Sequence, residues 1–215
     1  QLLAQLHINQ KNHHHAATTL EIAYAIDPPD TGAWENLADL YQYINAPLKA
    51  AASLHKAYSS GITAEQCARI ADIYARALRY NDAVSMIEKA LTKETTAEYY
   101  LRKGEYHYYN RQMKKAADAF QEALAIEPGN GKASLMLGFS AIDLKDWQLA
   151  KRAFSRAAKS EKYRSWAEGS LMIVQDIIEA KETAEQLTGA RTAGSGKAAA
   201  ALDPVAVQAG ASTAT

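Results

Sequence analysis

Ala16, Ala50, Ala83, Ala116 and Ala150 stand 34, 33, 33 and 34 residues apart. The same step carries Ala23, Ala57, Ala90, Ala123 and Ala157, and the bulkier series Leu20, Leu54, Ile87, Phe120 and Phe154. A third series, of small residues, is Ala4, Ala38, Ala71, Gly104 and Gly138. A period of this length marks one short unit used again and again, and such a unit cannot bury its apolar face alone. The chain is therefore expected to stack its copies, each covering the next.

Each unit reads as two helices. In the unit from Ala97 to Asn130 the first helix is predicted from Ala97 to Asn110 and the second from Met113 to Ile126. Pro128-Gly129 ends the second, since neither residue continues a helix. Small residues at Gly104 and Ala116 allow the two helices to approach, and Phe120 fills the seam with Ala123 one turn on. Thr63 with Gln66, Thr95 with Glu98, and Ser165 with Glu168 have the capping-box spacing. Pro47 suits the first turn of a second helix, and Gly61 a helix end.

These residues resemble the tetratricopeptide repeat: an aromatic, then Leu-Gly, Tyr, Ala, Phe, Ala and Pro at fixed offsets. Trp34, Leu37-Ala38, Tyr41, Ala50, Leu54 and Ala57 carry the pattern in the unit 31–63. Cys67, Ile70-Ala71, Tyr74, Ala83, Ile87 and Ala90 carry it in 64–96. In 97–130 it falls on Tyr100, Gly104, Ala116, Phe120, Ala123 and Pro128, and in 131–164 on Leu137-Gly138, Ala150, Phe154 and Ala157. Lys103 at the leucine position and Ser134 at the first aromatic depart from it. The resemblance covers residues 1–164, with 1–30 a truncated first repeat. It implies an all-α fold, a right-handed superhelical solenoid of antiparallel helix pairs.

Solenoid ends need covers. Ala167, Leu171, Val174 and Ile178 form one stripe on a helix predicted over 165–187, which reads as a C-terminal capping helix. Residues 188–215 turn to Ala, Gly, Ser and Thr with few large apolar side chains and are expected to be disordered. Leu3, Ala4 and His7 already sit where the middle of a first helix belongs, and no Met precedes them. The chain is thus expected to begin inside a repeat, as a piece of a longer protein.

Composition narrows the function. Lys and Arg total 24 and Asp and Glu 24, so no overall charge drives the chain toward nucleic acid or an anionic membrane. No apolar run approaches the roughly 20 residues that span a bilayer, so no membrane insertion is expected. Cys67, the one cysteine, takes the first-aromatic position of its repeat and is expected to be a buried thiol. Gly194-Ser-Gly-Lys197 lacks the earlier glycine and the following Ser/Thr of a phosphate loop. His13-His14-His15 is read as an exposed polar turn, without a fourth metal ligand. His7 and His107 occupy the tyrosine position of their repeats and are expected to pack. No nucleophile–base set, HExxH or glycine-rich strand-to-helix turn occurs. The reading is a non-enzyme with no cofactor and no metal.

In the family that the chain resembles, the first helices line a concave groove, and positions 2, 5, 9, 12 and 13 of each unit face it. On this chain that implies Glu35, Asp39, Gln42 and Tyr43; Glu65, Ala68, Asp72 and Arg76; Glu98, Leu101, Glu105, Tyr108 and Tyr109; and Lys132, Leu135, Phe139 and Ile142. An acidic stretch of Glu35, Asp39, Glu65, Asp72, Glu98 and Glu105 results, opposed mainly by Arg76. Beside it lies an apolar floor of Leu101, Tyr108, Tyr109, Leu135 and Phe139, extended by Ile173 and Ile177. Such a groove suits a protein or peptide partner with basic residues and an apolar anchor. The carboxylate-clamp subtype, which holds the tails of heat-shock chaperones, needs Lys, Arg and Asn there; Gln1, Gln5, Glu35, Asp39 and Glu65 disfavour it.

Residues 37–51 and 56–62 are also similar to bacterial repeat proteins that accompany TonB-type energy-transduction systems. That resemblance implies an adaptor in the bacterial periplasm or envelope, assisting outer-membrane transport; a cytoplasmic location is the alternative. The rival functions are a structural or self-associating spacer, with Ile173 and Ile177 as its contacts, and a regulatory segment of an enzyme whose catalytic domain lies elsewhere.

Overall fold

The computed structural model describes the backbone of residues 2–200 and the side chains of residues 2–188. Among the described residues every regular element is helical. The order is α1 (Leu2–Asn9), α2 (His13–Ile26), α3 (Thr31–Tyr43), α4 (Pro47–Ala57), α5 (Ala64–Arg76), α6 (Tyr80–Leu91), α7 (Ala97–Tyr109), α8 (Met113–Ile126), α9 (Gly131–Asp143) and α10 (Trp147–Ala157). A 3₁₀ turn (Glu161–Tyr163) and α11 (Arg164–Ala200) follow. The chain divides into two compact units, residues 1–171 and 172–215. Within the first, each odd-numbered helix up to α9 packs on the helix after it, and each second helix packs on the first helix of the next pair. This is the stacked solenoid that the period requires.

The seams show why the period holds. Phe120 and Phe154 are wholly buried. A Cβ placed on Gly104 would lie 2.5 Å from Phe120 Cε1, and one on Gly138 would lie 2.5 Å from Phe154 Cε1. In the units where the small position is Ala38 or Ala71, the residue in register with the phenylalanines is Leu54 or Ile87. The volumes trade: glycine faces the ring, and alanine faces the aliphatic chain. Both pairs keep the crossing filled, as close packing demands.

Helix ends follow local chemistry. Thr63 and Gln66 form the expected capping box, and Pro47 opens α4. The cap of α7 is Thr96, whose hydroxyl accepts from the Tyr99 amide at 3.2 Å, one residue later than the Thr95–Glu98 spacing implies. Ser165 caps nothing, because α11 already begins at Arg164. Gly61 lies beyond the end of α4, which closes through Tyr58.

Between the helices of each pair a non-glycine residue adopts the left-handed conformation: Lys11, Asn45, Leu78, Arg111 and Lys145, with φ of 58, 56, 58, 60 and 60°. The next amide then reaches back across the turn, as from Arg79 to the Tyr74 carbonyl at 2.9 Å, the bond that closes a Schellman end. Leu78 is largely exposed, so its side chain contributes little packing to offset the strain. Leu78→Gly is expected to stabilise the fold by about 0.5–1 kcal/mol, the left-handed penalty less the entropy of glycine in the unfolded chain. A urea titration monitored by circular dichroism measures it, and an unchanged or lower midpoint would remove the strain argument.

The C-terminal helix departs from expectation. It does not stop near Leu187 but runs on to Ala200, so residues 188–200, expected to be disordered, are helical. The Ala-rich composition there favours helix once one is started, and isolated glycines weaken a helix without ending it. Residues 201–215 lie outside the described residues. On the earlier part of α11, Ala167, Val174 and Ile178 are buried and Leu171 half-buried, while Ile173 is exposed. No described helix is long and apolar enough to cross a membrane.

Candidate partner-binding groove

Position 9 of the units 31–63, 64–96 and 97–130 is Asp39, Asp72 or Glu105. Stacking brings a cation from the following unit onto each. Arg69 Nη2 donates to Asp39 Oδ1 at 2.6 Å. Arg102 Nη1 donates to Asp72 Oδ2 at 2.6 Å, and Lys132 pairs with Glu105. Each arginine also holds a second acid: Arg69 lies 3.9 Å from Glu35, and Arg102 Nη2 donates to Glu98 at 2.5 Å. Two tyrosines complete the pattern. Tyr58 Oη donates to Glu35 at 2.5 Å, and Tyr106 Oη donates to Asp72 at 2.5 Å.

The opposing charges of these acids differ from expectation. They are Arg69, Arg102 and Lys132, whereas Arg76 donates to the Gln42 carbonyl oxygen. The period held the signal that would have found them, since Arg69 and Arg102 stand one repeat apart, as Asp39 and Asp72 do. Burial, then donation to Glu35, pushes the Tyr58 phenol up to about 12. Burial and the bond to Asp72 also raise Tyr106. Both hydroxyls therefore stay protonated and keep donating at neutral pH.

Between α3, α5 and α7, part of this network lines a recess of about 700 Å³. It gathers Glu35, Glu65, Asp72 and Glu98, all expected in the groove, with Glu94, Arg69, Arg102, Tyr58 and Tyr99, which sequence reading did not place there. Five carboxylates face two guanidinium groups. Glu65 has no ion-pair partner among the described residues. The side chain of Glu98 remains 63% exposed and that of Asp39 60%. Ion pairs this open contribute about 0–1 kcal/mol each, so a partner's ammonium or guanidinium can share the carboxylates without dismantling the fold.

The aromatic side of the groove is rearranged. Tyr109 stacks on Tyr80 at 5.9 Å between ring centroids, and Tyr43 meets His13 edge-on at 4.8 Å. His13 and Tyr80 open α2 and α6, so position 13 clasps the turn of the preceding pair. Tyr109 nonetheless stays 56% exposed. Tyr108 lies against Tyr109 and, like Leu101, is half-buried on the cluster around Phe120. Phe139 is half-buried with its ring edge-on to Phe154 at 5.3 Å. Leu135 is not part of an exposed floor: it is 4% exposed, because its turn of α9 points into the stack.

The remaining polar candidates lie outside this recess. Cys67 is buried, and burial raises its thiol pKa. His107 is buried, with Nδ1 donating to Gln112 Oε1 at 2.8 Å, and burial lowers its pKa. His7 lies beside the His15 ring at 5.6 Å. The histidine triplet opens α2 rather than forming a turn. Among the described residues no group of His, Cys, Asp or Glu is arranged to hold a metal ion.

The tetratricopeptide repeat family profile matches residues 97–130, which span α7 and α8. No sequence among the curated proteins matches the chain. Solved structures do share its fold. MamA is 19% identical with a TM-score of 0.59, over 75% of this chain and 96% of that one. YrrB, described as a TPR protein with an unusual peptide-binding site, is 20% identical with a TM-score of 0.57, over 76% and 85%. PilF of Pseudomonas aeruginosa is 17% identical with a TM-score of 0.58, over 86% and 85%. The fold is an all-α tetratricopeptide solenoid.

Proposed function

We propose that the chain is a non-enzymatic adaptor that holds a protein or peptide segment along its first helices. The recess between α3, α5 and α7 carries this reading. Its carboxylates exceed its guanidinium groups, and Glu65 and Glu98 stand open to solvent. A lysine or arginine of the partner would enter there, and Tyr108, Tyr109, Leu101 and Phe139 would meet an apolar neighbour farther along. The peptide-binding site named for YrrB supports a peptide as the occupant. The resemblance of residues 37–51 and 56–62 to TonB-associated repeat proteins supports a partner in the bacterial envelope.

Glu65→Lys with Glu98→Lys tests the reading, because both side chains line the recess and are exposed. Affinity capture from the native host with the wild-type chain and the double variant, read by mass spectrometry, is expected to lose the specific partners in the variant. Helicity should be unchanged. Envelope transport components among the lost proteins would support the TonB-type assignment. Identical captures from the two chains would overturn the groove as the binding surface.

A further inference from the structure

We infer that the groove between α8 and α10 is a second docking surface, one that accepts an acidic amphipathic protein segment. Leu149 and Ala125 form the accessible apolar part of a concavity of about 350 Å³ there, over the buried Leu124, Leu137 and Ala153, and Arg152 and Arg156 stand over it. The two arginines are exposed and one helical turn apart on α10, a helix with no acidic residue. Neither guanidinium has an ion-pair or hydrogen-bond partner among the described residues. None of the lining residues belongs to the acidic recess.

The preceding groove, between α6 and α8, is an internal control. In register, Leu137 is replaced by Lys103, Gln121 by Glu88, and the two arginines by Asp118 and Glu122. There Lys103 crosses the floor to Glu88 at 2.7 Å, so the groove supplies its own counter-charge. Between α8 and α10 the same frame has an apolar floor and two unmatched cations. A complementary segment places a large apolar side chain on the half-buried Leu149 and the exposed Ala125, and two carboxylates one turn apart on the guanidinium forks, which suit bidentate carboxylates. That is the pattern of an amphipathic helix lying in a groove. A phosphate backbone or a lipid headgroup layer meets the charge but brings no apolar anchor into a concavity.

Selection of a phage-displayed random 16-residue peptide library on the full chain tests the proposal. Enriched peptides are expected to carry Asp or Glu pairs three or four residues apart beside Leu, Phe or Met. Their synthetic forms should bind at least tenfold more weakly to Arg152→Glu/Arg156→Glu and equally well to Glu65→Lys/Glu98→Lys. Circular dichroism checks that both variants fold. The proposal fails if no enriched acidic peptide loses affinity for the arginine variant. It also fails if wild type yields no such peptides but binds phosphatidylglycerol vesicles through the arginines, which would make the face a lipid contact.

Discussion

Phe120→Ala is expected to lower the unfolding free energy by about 3–5 kcal/mol, the cost of deleting a fully buried aromatic ring whose cavity cannot collapse. Phe120 is wholly buried, and of the core residues clustered with it Ala116, Ala117, Ala123 and Ala133 have side chains too short to fill the space, while Leu124 and Leu137 are themselves buried. Gly104 across the seam has no side chain at all. A solenoid transmits stability only between neighbouring units, so the loss should be local. Amide exchange in α7 and α8 should quicken first, with α3 and α4 least affected. Urea denaturation gives the magnitude and hydrogen exchange its place. A loss below about 1 kcal/mol, or one spread evenly along the chain, would show that the ring is not the keystone of its unit.

Sequence alone exposed the fold because the fold is a period. The alanine, leucine and phenylalanine series mark the seams between helices, and all but Leu20 and Ala23, at the open first pair, are buried. The candidate site was legible only by half. Glu35, Glu65, Asp72 and Glu98 do line one recess, since position within a repeat fixes which face of a first helix a residue takes. Their counter-ions were missed because Arg69 and Arg102 reach back to acids about thirty residues earlier. The distance between successive first helices decides that pairing, and no local pattern states it. The ring contacts of Tyr43 and Tyr109 were missed for the same reason, their partners His13 and Tyr80 belonging to the preceding pair, although both tyrosines stay exposed. Position 5 also changes character along the stack: Glu35 lines the recess, while Leu135 is buried between units. The end of α11 was misread because a composition rich in small residues weakens a core without preventing a helix.

Gly104→Leu is expected to destabilise by about 1–3 kcal/mol, although leucine is the better helix former by nearly 1 kcal/mol. Overpacking wins because even the first added carbon has nowhere to go. The Cβ would stand 2.5, 2.6 and 2.9 Å from three carbons of the Phe120 ring, and the ring is too well enclosed to retreat. The two sites should therefore be strongly coupled. With Phe120→Ala in place, the same leucine fills the vacated space, and the double variant should be more stable than Phe120→Ala alone. A change that harms one background and helps the other is a coupling energy above 1 kcal/mol, the size expected of residues sharing one cavity. A double-mutant cycle in urea reads it directly. Additive effects would mean that the glycine is there for some reason other than the ring, and the trade of glycine–phenylalanine for alanine–aliphatic pairs along the repeats would lose its explanation.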